Sequence, residues 1–138
     1  MKKVLVCGDR EWNNRPLMEF ILSKIPLDKF HTLMHGDCRG ADKMAGEIAT
    51  DMGFEVVAYP AFKDVDWIKY GKACGPIRNR KMLEEGQPDL VIAFHNDLKN
   101  SKGTKDMVTI AMHEDLDGRH VDVIIISEGE DYMDLVIK

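Results

Sequence analysis

The sequence predicts an α/β fold, a doubly wound, mostly parallel sheet of about five strands with helices on both faces, formed as one domain by its 138 residues. Two patterns predict it. Short runs of near-continuous Val, Ile and Leu recur along the chain, as strands buried on both faces require. Stretches with apolar residues three and four apart separate them, as helices lying on such a sheet require. This alternation implies right-handed crossovers, and in such sheets ligands bind outside the carboxyl ends of the strands, near the point where strand order reverses.

The elements follow in order. VLVCG, residues 4–8, is the first strand. GDREWNN, residues 8–14, is a polar turn in which Gly8 permits a close bend, Asp9 and Arg10 supply polar reach and Trp12 is a candidate stacking plate. A helix follows over about Arg15 to Ile25, and HTLMHG, residues 31–36, is a weaker strand. HGDCRGADKMA then bends through Gly36, Asp37, Cys38, Arg39 and Gly40 into a helix starting near Ala41. Ala41, Met44, Ala45, Ile48, Ala49 and Met52 form one apolar stripe on it, and Gly53 is its stop.

That bend has the materials of an anion cradle. A helix start offers unpaired N–H groups and a positive dipole end, glycine lets backbone come close, and Arg39 adds a fork of donors suited to phosphate. Gly36, Arg39, Gly40 and Asp42 are therefore ligand-binding candidates. FEVVAY, residues 54–59, is the next strand. A long cationic connection, Lys63 to Leu83, carries Trp67, Tyr70, Gly71 and Gly75 before a helix over Pro76 to Glu85, with Pro in the first turn. Gly75, Arg78 and Asn79 are candidates here. Asn79 shares a helix face with Met82 and Leu83, so its amide points inward and needs a partner, for which a ligand is expected.

DLVIAF, residues 89–94, is a strand whose exit, FHNDLKNSKGTKDM, runs into a helix over Gly103 to Glu114. Gly103 and Thr104 thus set a second helix start at the same sheet edge. VDVIII, residues 121–126, is the last core strand, and the final SEGEDYMDLVIK reads as a loop plus a short edge strand. Two helix starts and several arginines on one crevice suit a phosphorylated ligand whose base stacks on Trp12, Trp67 or Tyr70.

Composition narrows the classes. With 44% hydrophobic and 31% charged residues the chain has the apolar content of a globular protein. No segment approaches the roughly 20 apolar residues of a membrane span, and the six residues VLVCGD are too short for a signal peptide, so a cytoplasmic protein without membrane contact is expected. Cysteines at 7, 38 and 74 lack C-x-x-C spacing and the five histidines are scattered, so neither a metal nor a cofactor is expected. A net charge of −5 opposes bulk nucleic-acid binding. Yet residues 9–15, 37–43, 63–81 and 97–106 hold 13 of the 19 Lys and Arg but only 8 of the 24 Asp and Glu. All four segments follow strands, so cationic charge gathers at the expected ligand edge.

The set GDREW, HGDCRGADKMA, YGKACGPIRNRKML, PDLVIAF and SKGTKDM, in this order and spacing, resembles the SLOG superfamily of Rossmann-like proteins, specifically the small YspA branch related to YpsA, over residues 3 to about 115. The resemblance implies a nucleotide or nucleotide-derived ligand at the strand edge, for sensing, sequestration or processing, and a homodimer. It also implies an enzymatic alternative. The related LOG enzymes, phosphoribohydrolases acting on cytokinin riboside monophosphates, carry an arginine in E-R-K-x-x-M and a loop P-G-G-x-G-T-x-x-E. Arg80 in NRKML is similar to the first, and Gly103-Thr104 to the end of the second. The family's glutamate falls on Met107, with Asp106 the nearest carboxylate. In that version Arg80 binds phosphate while Asp106 supports hydrolysis of the base-to-ribose bond of a nucleoside monophosphate. DprA, a further relative that binds single-stranded DNA, implies a third reading, a single-strand nucleic-acid module built on the cationic 63–81 segment. The acidic residues 128–134 are the only hint of a purely protein-binding role.

Overall fold

The computed structural model describes residues 1–60, 74–113 and 118–138. Among the described residues five strands form one sheet: β1 (Lys2–Gly8), β2 (Phe30–His35), β3 (Glu55–Ala58), β4 (Leu90–Phe94) and β5 (Asp122–Ile126). Their order is β3-β2-β1-β4-β5 and every pairing is parallel, so the sheet is wholly rather than mostly parallel. Four α-helices lie among the described residues: α1 (Arg15–Ser23), α2 (Ala41–Met52), α3 (Cys74–Gly86) and α4 (Gly103–His113).

The apolar strand runs are explained by what covers them. Val4 and Val6 of β1 point to one face with Leu33, Ile92 and Phe94, packing on Met18, Ile21 and Leu22 of α1 and Ala45, Ile48 and Ala49 of α2. Leu5 and Cys7 point to the other with Met34, Val91 and Ala93, under Met82 and Leu83 of α3 and Met107, Val108 and Ala111 of α4. A strand buried on both faces leaves few positions for a polar residue, hence the largely unbroken runs. The α2 stripe behaves as its spacing demands, and Gly53 closes the helix at φ 100°, donating to the carbonyls of Ala49 and Thr50.

Helix α1 starts on Asn14, whose Oδ1 accepts from the Leu17 N–H while its Nδ2 donates to Glu128 Oε2 at 2.9 Å. Glu128 Oε1 also accepts from Asn96 Nδ2 at 2.9 Å, so one carboxylate ties the loops after β1 and β4 together. These two amides hold the Glu128 carboxyl below its ordinary pKa. Asn14→Ala is expected to lower unfolding free energy by about 1 kcal/mol in urea titrations. Asn14→Asp should recover only part of this, because it restores the cap but sets a second carboxylate against Glu128.

Residues 127–138 do not form the edge strand expected of them. Ile137 is buried against the α1–α2 side of the core, with Tyr132 and Leu135 packed beside it. Lys24 Nζ donates to the Met133 and Leu135 carbonyls at 3.0 and 2.9 Å, taking acceptors that a strand ladder would use. The tail is a strap laid across α1. No helix among the described residues is long and apolar enough to cross a membrane.

Strand order reverses between β1 and β4. From β1 the chain winds outward through β2 to β3; the later strands lie on the other side of β1. The loops leaving β1 and β4 therefore diverge and leave a crevice at their carboxyl ends.

Candidate functional site

A cavity of about 460 Å³ occupies that crevice. The turn after β1 contributes Gly8, Asp9, Arg10 and Glu11, and the turn after β2 contributes Cys38, Arg39 and the first-turn residue Asp42. Arg78, Asn79 and Met82 enter from α3, His95 from the end of β4, and Ser101 to Thr104 from the start of α4. Residues separated by more than 90 positions thus meet in one hollow, with Arg10, Arg39, Arg78 and Lys102 outnumbering Asp9, Glu11 and Asp42.

The β1 and β2 turns are locked to each other. The Asp9 N–H donates to Phe94 O at 2.9 Å, the Asp9 carbonyl accepts from the Ala41 N–H at 3.1 Å, and Asp9 Oδ1 accepts from the Glu11 N–H at 2.9 Å. Gly40 adopts φ 79° and ψ −124°, and a Cβ there would collide with the carbonyl groups of Asp9 and Arg10. A Cβ on Gly8 would likewise strike Phe94 O and Ala41 Cβ. Both positions need glycine because two backbones touch. Arg39 reaches back across the mouth to an ion pair with Glu11, both side chains well exposed.

The α2 start is not an open cradle. Asp42, 5% exposed, turns its Oδ2 onto the N–H groups of Gly36 and Cys38 at 3.0 and 3.3 Å, and the Asp37 N–H goes to His35 Nδ1 at 2.9 Å. The protein's own carboxylate fills the place where a ligand anion was expected. Burial pushes the Asp42 carboxyl up to about 6, although the Cys38 and Gly36 amides and the nearby Arg78 and Arg10 charges draw it back. Beneath it burial, with the Asp42 charge adding, raises the Cys7 thiol far above its ordinary value, so Cys7 stays protonated.

Arg78 ties the layers together. Its Nη1 donates to Gly36 O and, at 3.3 Å, to Tyr59 O, so α3 is fastened to the ends of β2 and β3; its Nε donates to Asn79 Oδ1 at 3.0 Å. Asn79, 3% exposed, donates in turn to Gly103 O at 3.1 Å and Asp106 Oδ2 at 3.0 Å. The inward amide therefore has protein partners and anchors the start of α4; a ligand is not needed to satisfy it. There the Lys105 and Asp106 N–H groups are used by Ser101 Oγ and Lys102 O at 3.0 Å each. No hydrogen bond given among the described residues uses the Gly103 or Thr104 N–H, and both residues line the cavity.

The profile of the family described as "YAcAr: YspA, cpYpsA-related SLOG family" matches residues 2–70, which takes in the turns after β1 and β2. The "Gene 61 protein" of Mycobacterium phage D29 is 34% identical over 114 residues, 76% of this chain and 84% of the relative. The chain belongs to the YspA, cpYpsA-related SLOG family. Among solved structures, DNA processing protein A (DprA) from Streptococcus pneumoniae has the same fold, with a TM-score of 0.68 at 21% identity over 97% of this chain. This chain spans 52% of that one.

Of the residues expected at the SLOG site, Gly8, Arg10, Arg39, Asp42, Arg78, Asn79, Gly103 and Thr104 line the cavity. Gly36 borders an adjoining hollow of about 300 Å³, and Gly40 stands behind the wall as the lock between turns. Four of the expected residues lie elsewhere. Trp12 is 4% exposed, its ring centroid 5.5 Å from that of Phe94 in a T-shaped contact and its Nε1 donating to Asn14 O, so it is core and offers no stacking face. Arg80 and Asp106 lie outside the cavity, together on a groove between α3 and α4 with Glu84 and Ile110. Arg80 is paired with Glu84 at 3.9 Å, and Asp106 is held by Asn79. Gly75 borders none of these hollows, and a Cβ there would meet open space. Trp67, Tyr70 and Gly71 lie outside the described residues.

Sequence reading missed Glu11, Met82, His95, Ser101 and Lys102 as lining residues. A usable signal existed for Ser101, a hydroxyl two residues ahead of the helix and suited to a helix start. Asp9, expected to supply polar reach, also forms an Asx turn by accepting from the Glu11 N–H.

Proposed function

We propose that this SLOG protein binds a nucleotide or nucleotide-derived ligand in the crevice between the β1 and β4 exits, for sensing, sequestration or processing. The observation that carries the reading is the convergence of turns from β1, β2 and β4 on one cation-rich cavity at the topological switch point. A phosphoryl group fits at the start of α4, where the Gly103 and Thr104 N–H groups, the Thr104 hydroxyl and the positive helix end meet Lys102. Arg10 faces the same space. The start of α2 is the poorer place, since Asp42 already uses the Gly36 and Cys38 amides of the turn that leads into it. Hydrolysis by Arg80 and Asp106 is not part of this reading, because neither residue borders the cavity. A single-strand nucleic-acid module is the weaker alternative, opposed by the net charge of −5.

Nucleoside 5′-monophosphates are expected to raise the melting temperature in a concentration-dependent way and to bind in calorimetry, whereas the parent nucleosides bind far more weakly. Arg10 and Lys102 are both exposed, so an Arg10→Ala/Lys102→Ala double variant should fold normally and lose about 100-fold in affinity. Equal affinity for nucleosides and nucleotides would overturn the phosphate site; no binding by any member of the series would overturn the reading.

A further inference from the structure

Asp42 is a costly way to cap a turn. Asn or Ser could accept the Gly36 and Cys38 N–H groups without burying a charge. Only one of its oxygens is used: Oδ2 takes both amides, and Oδ1 accepts none of the hydrogen bonds among the described residues. Asp42 lines the main cavity, and Oδ1 is the oxygen that the two amides leave unused. Arg78 does not consume it. The hydrogen bonds of that guanidinium run to Gly36 O, Tyr59 O, Asn79 Oδ1 and the Cys38 sulfur.

An open carboxylate oxygen repels phosphate and accepts from donors. We propose that Asp42 is a specificity-determining residue that accepts a hydrogen bond from a ribose hydroxyl of the ligand; this rests on the nucleotide reading above and assigns the sugar its place. Position favours the sugar over the base. The phosphoryl site at α4 lies on the same cavity, while the adjoining hollow of about 300 Å³ is bordered by Gly36 and Cys38, whose amides Asp42 holds, and it shares Arg10, Cys38 and Arg39 with the main cavity. Asp42 lines the main cavity and holds two residues that border the second, which suits the sugar of a nucleotide, lying between its phosphate and its base. Charge-assisted hydrogen bonds of this kind discriminate strongly against a ligand that lacks the donor.

The test uses the full chain and whichever of the four common ribonucleoside 5′-monophosphates binds most tightly, titrated beside its 2′-deoxy and 3′-deoxy forms. The wild type is expected to favour the ribonucleotide over at least one deoxy form by about 30-fold. Asp42→Asn should reduce that ratio to about 3-fold or less, chiefly by weakening the ribonucleotide. A purely structural role would weaken all three ligands by one factor and leave the ratio intact, which would overturn the proposal. So would equal affinity of the wild type for all three, a result that does not depend on the variant folding. If the ratio survives in Asp42→Asn while discrimination between adenosine and inosine monophosphates is lost, Asp42 reads the base and the proposal fails. Binding of nucleotides without sugar discrimination leaves the nucleotide reading standing alone; no binding at all removes both.

Discussion

Gly40→Ala is expected to lower the unfolding free energy by about 4 kcal/mol, the sum of backbone strain and overpacking of roughly 2 kcal/mol each. The backbone at φ 79°, ψ −124° is open to few residues other than glycine, and the added methyl would press on the Asp9 and Arg10 carbonyls. Those carbonyls cannot retreat freely, since the Asp9 carbonyl accepts from the Ala41 N–H and the Asp9 N–H is bonded to Phe94 O. Gly53→Ala separates the two contributions. Gly53 also has positive φ, at 100°, but nothing lies within 4 Å of a Cβ there, so its loss should be only about 1 kcal/mol. Urea titrations of both variants at constant m-value check this. Equal losses would mean that the turns are not locked through Gly40.

Asp42→Asn is expected to stabilise the protein by about 3 kcal/mol at pH 7.5, the equivalent of about two pKa units. In the folded chain the carboxyl ionises near 6, against an ordinary value of 3.8, with burial the chief cause. The charged groups facing it are Arg10 from the β1 turn and Arg78 from α3, with the protonated Cys7 below. Between about pH 4 and 6 the folded state holds this proton more tightly than the unfolded state, so the wild-type contribution falls as pH rises through that window and is lowest above it. Asparagine does not titrate. The gap between the proteins should therefore be near zero at pH 4, open through pH 5 and reach its full size above pH 7. Equal stability at pH 7.5 would show that the carboxylate carries no burial cost. A gain in stability joined to a loss of ribonucleotide preference is the pattern of a residue kept for its ligand.

How far the sequence could be read depended on whether periodicity constrained the residue. The five core strands and the α2 stripe were legible because burial on two faces, or on one stripe, leaves a repeating signature. The last residues were not: YMDLVIK has the composition of a strand, but Lys24, more than a hundred positions away, captures the carbonyls. Trp12 lies in a turn with no period, where nothing local decides whether the ring faces a ligand or folds onto Phe94. Arg78 and Arg80 were separable in principle. Four residues beyond Arg78 is buried Met82, while four beyond Arg80 is exposed Glu84, so the helix turns the first toward the cavity and the second away. The carboxylate occupying the α2 turn was hidden, because it depends on Asp37 adopting φ 60°, a conformation its sequence permits but does not demand.

The hollow lies at the end of a continuous parallel sheet, with Asp42 of α2 on one side and residues of α3 and α4 on the other. A shear of the α3–α4 pair over its own side would change the width of the hollow with no strand pairing broken. Arg78 is the rivet against such sliding, joining α3 to the carbonyl ends of β2 and β3. A molecule bridging α4 and Asp42 would act as a second fastener, drawing together two halves that otherwise share little beyond the sheet itself.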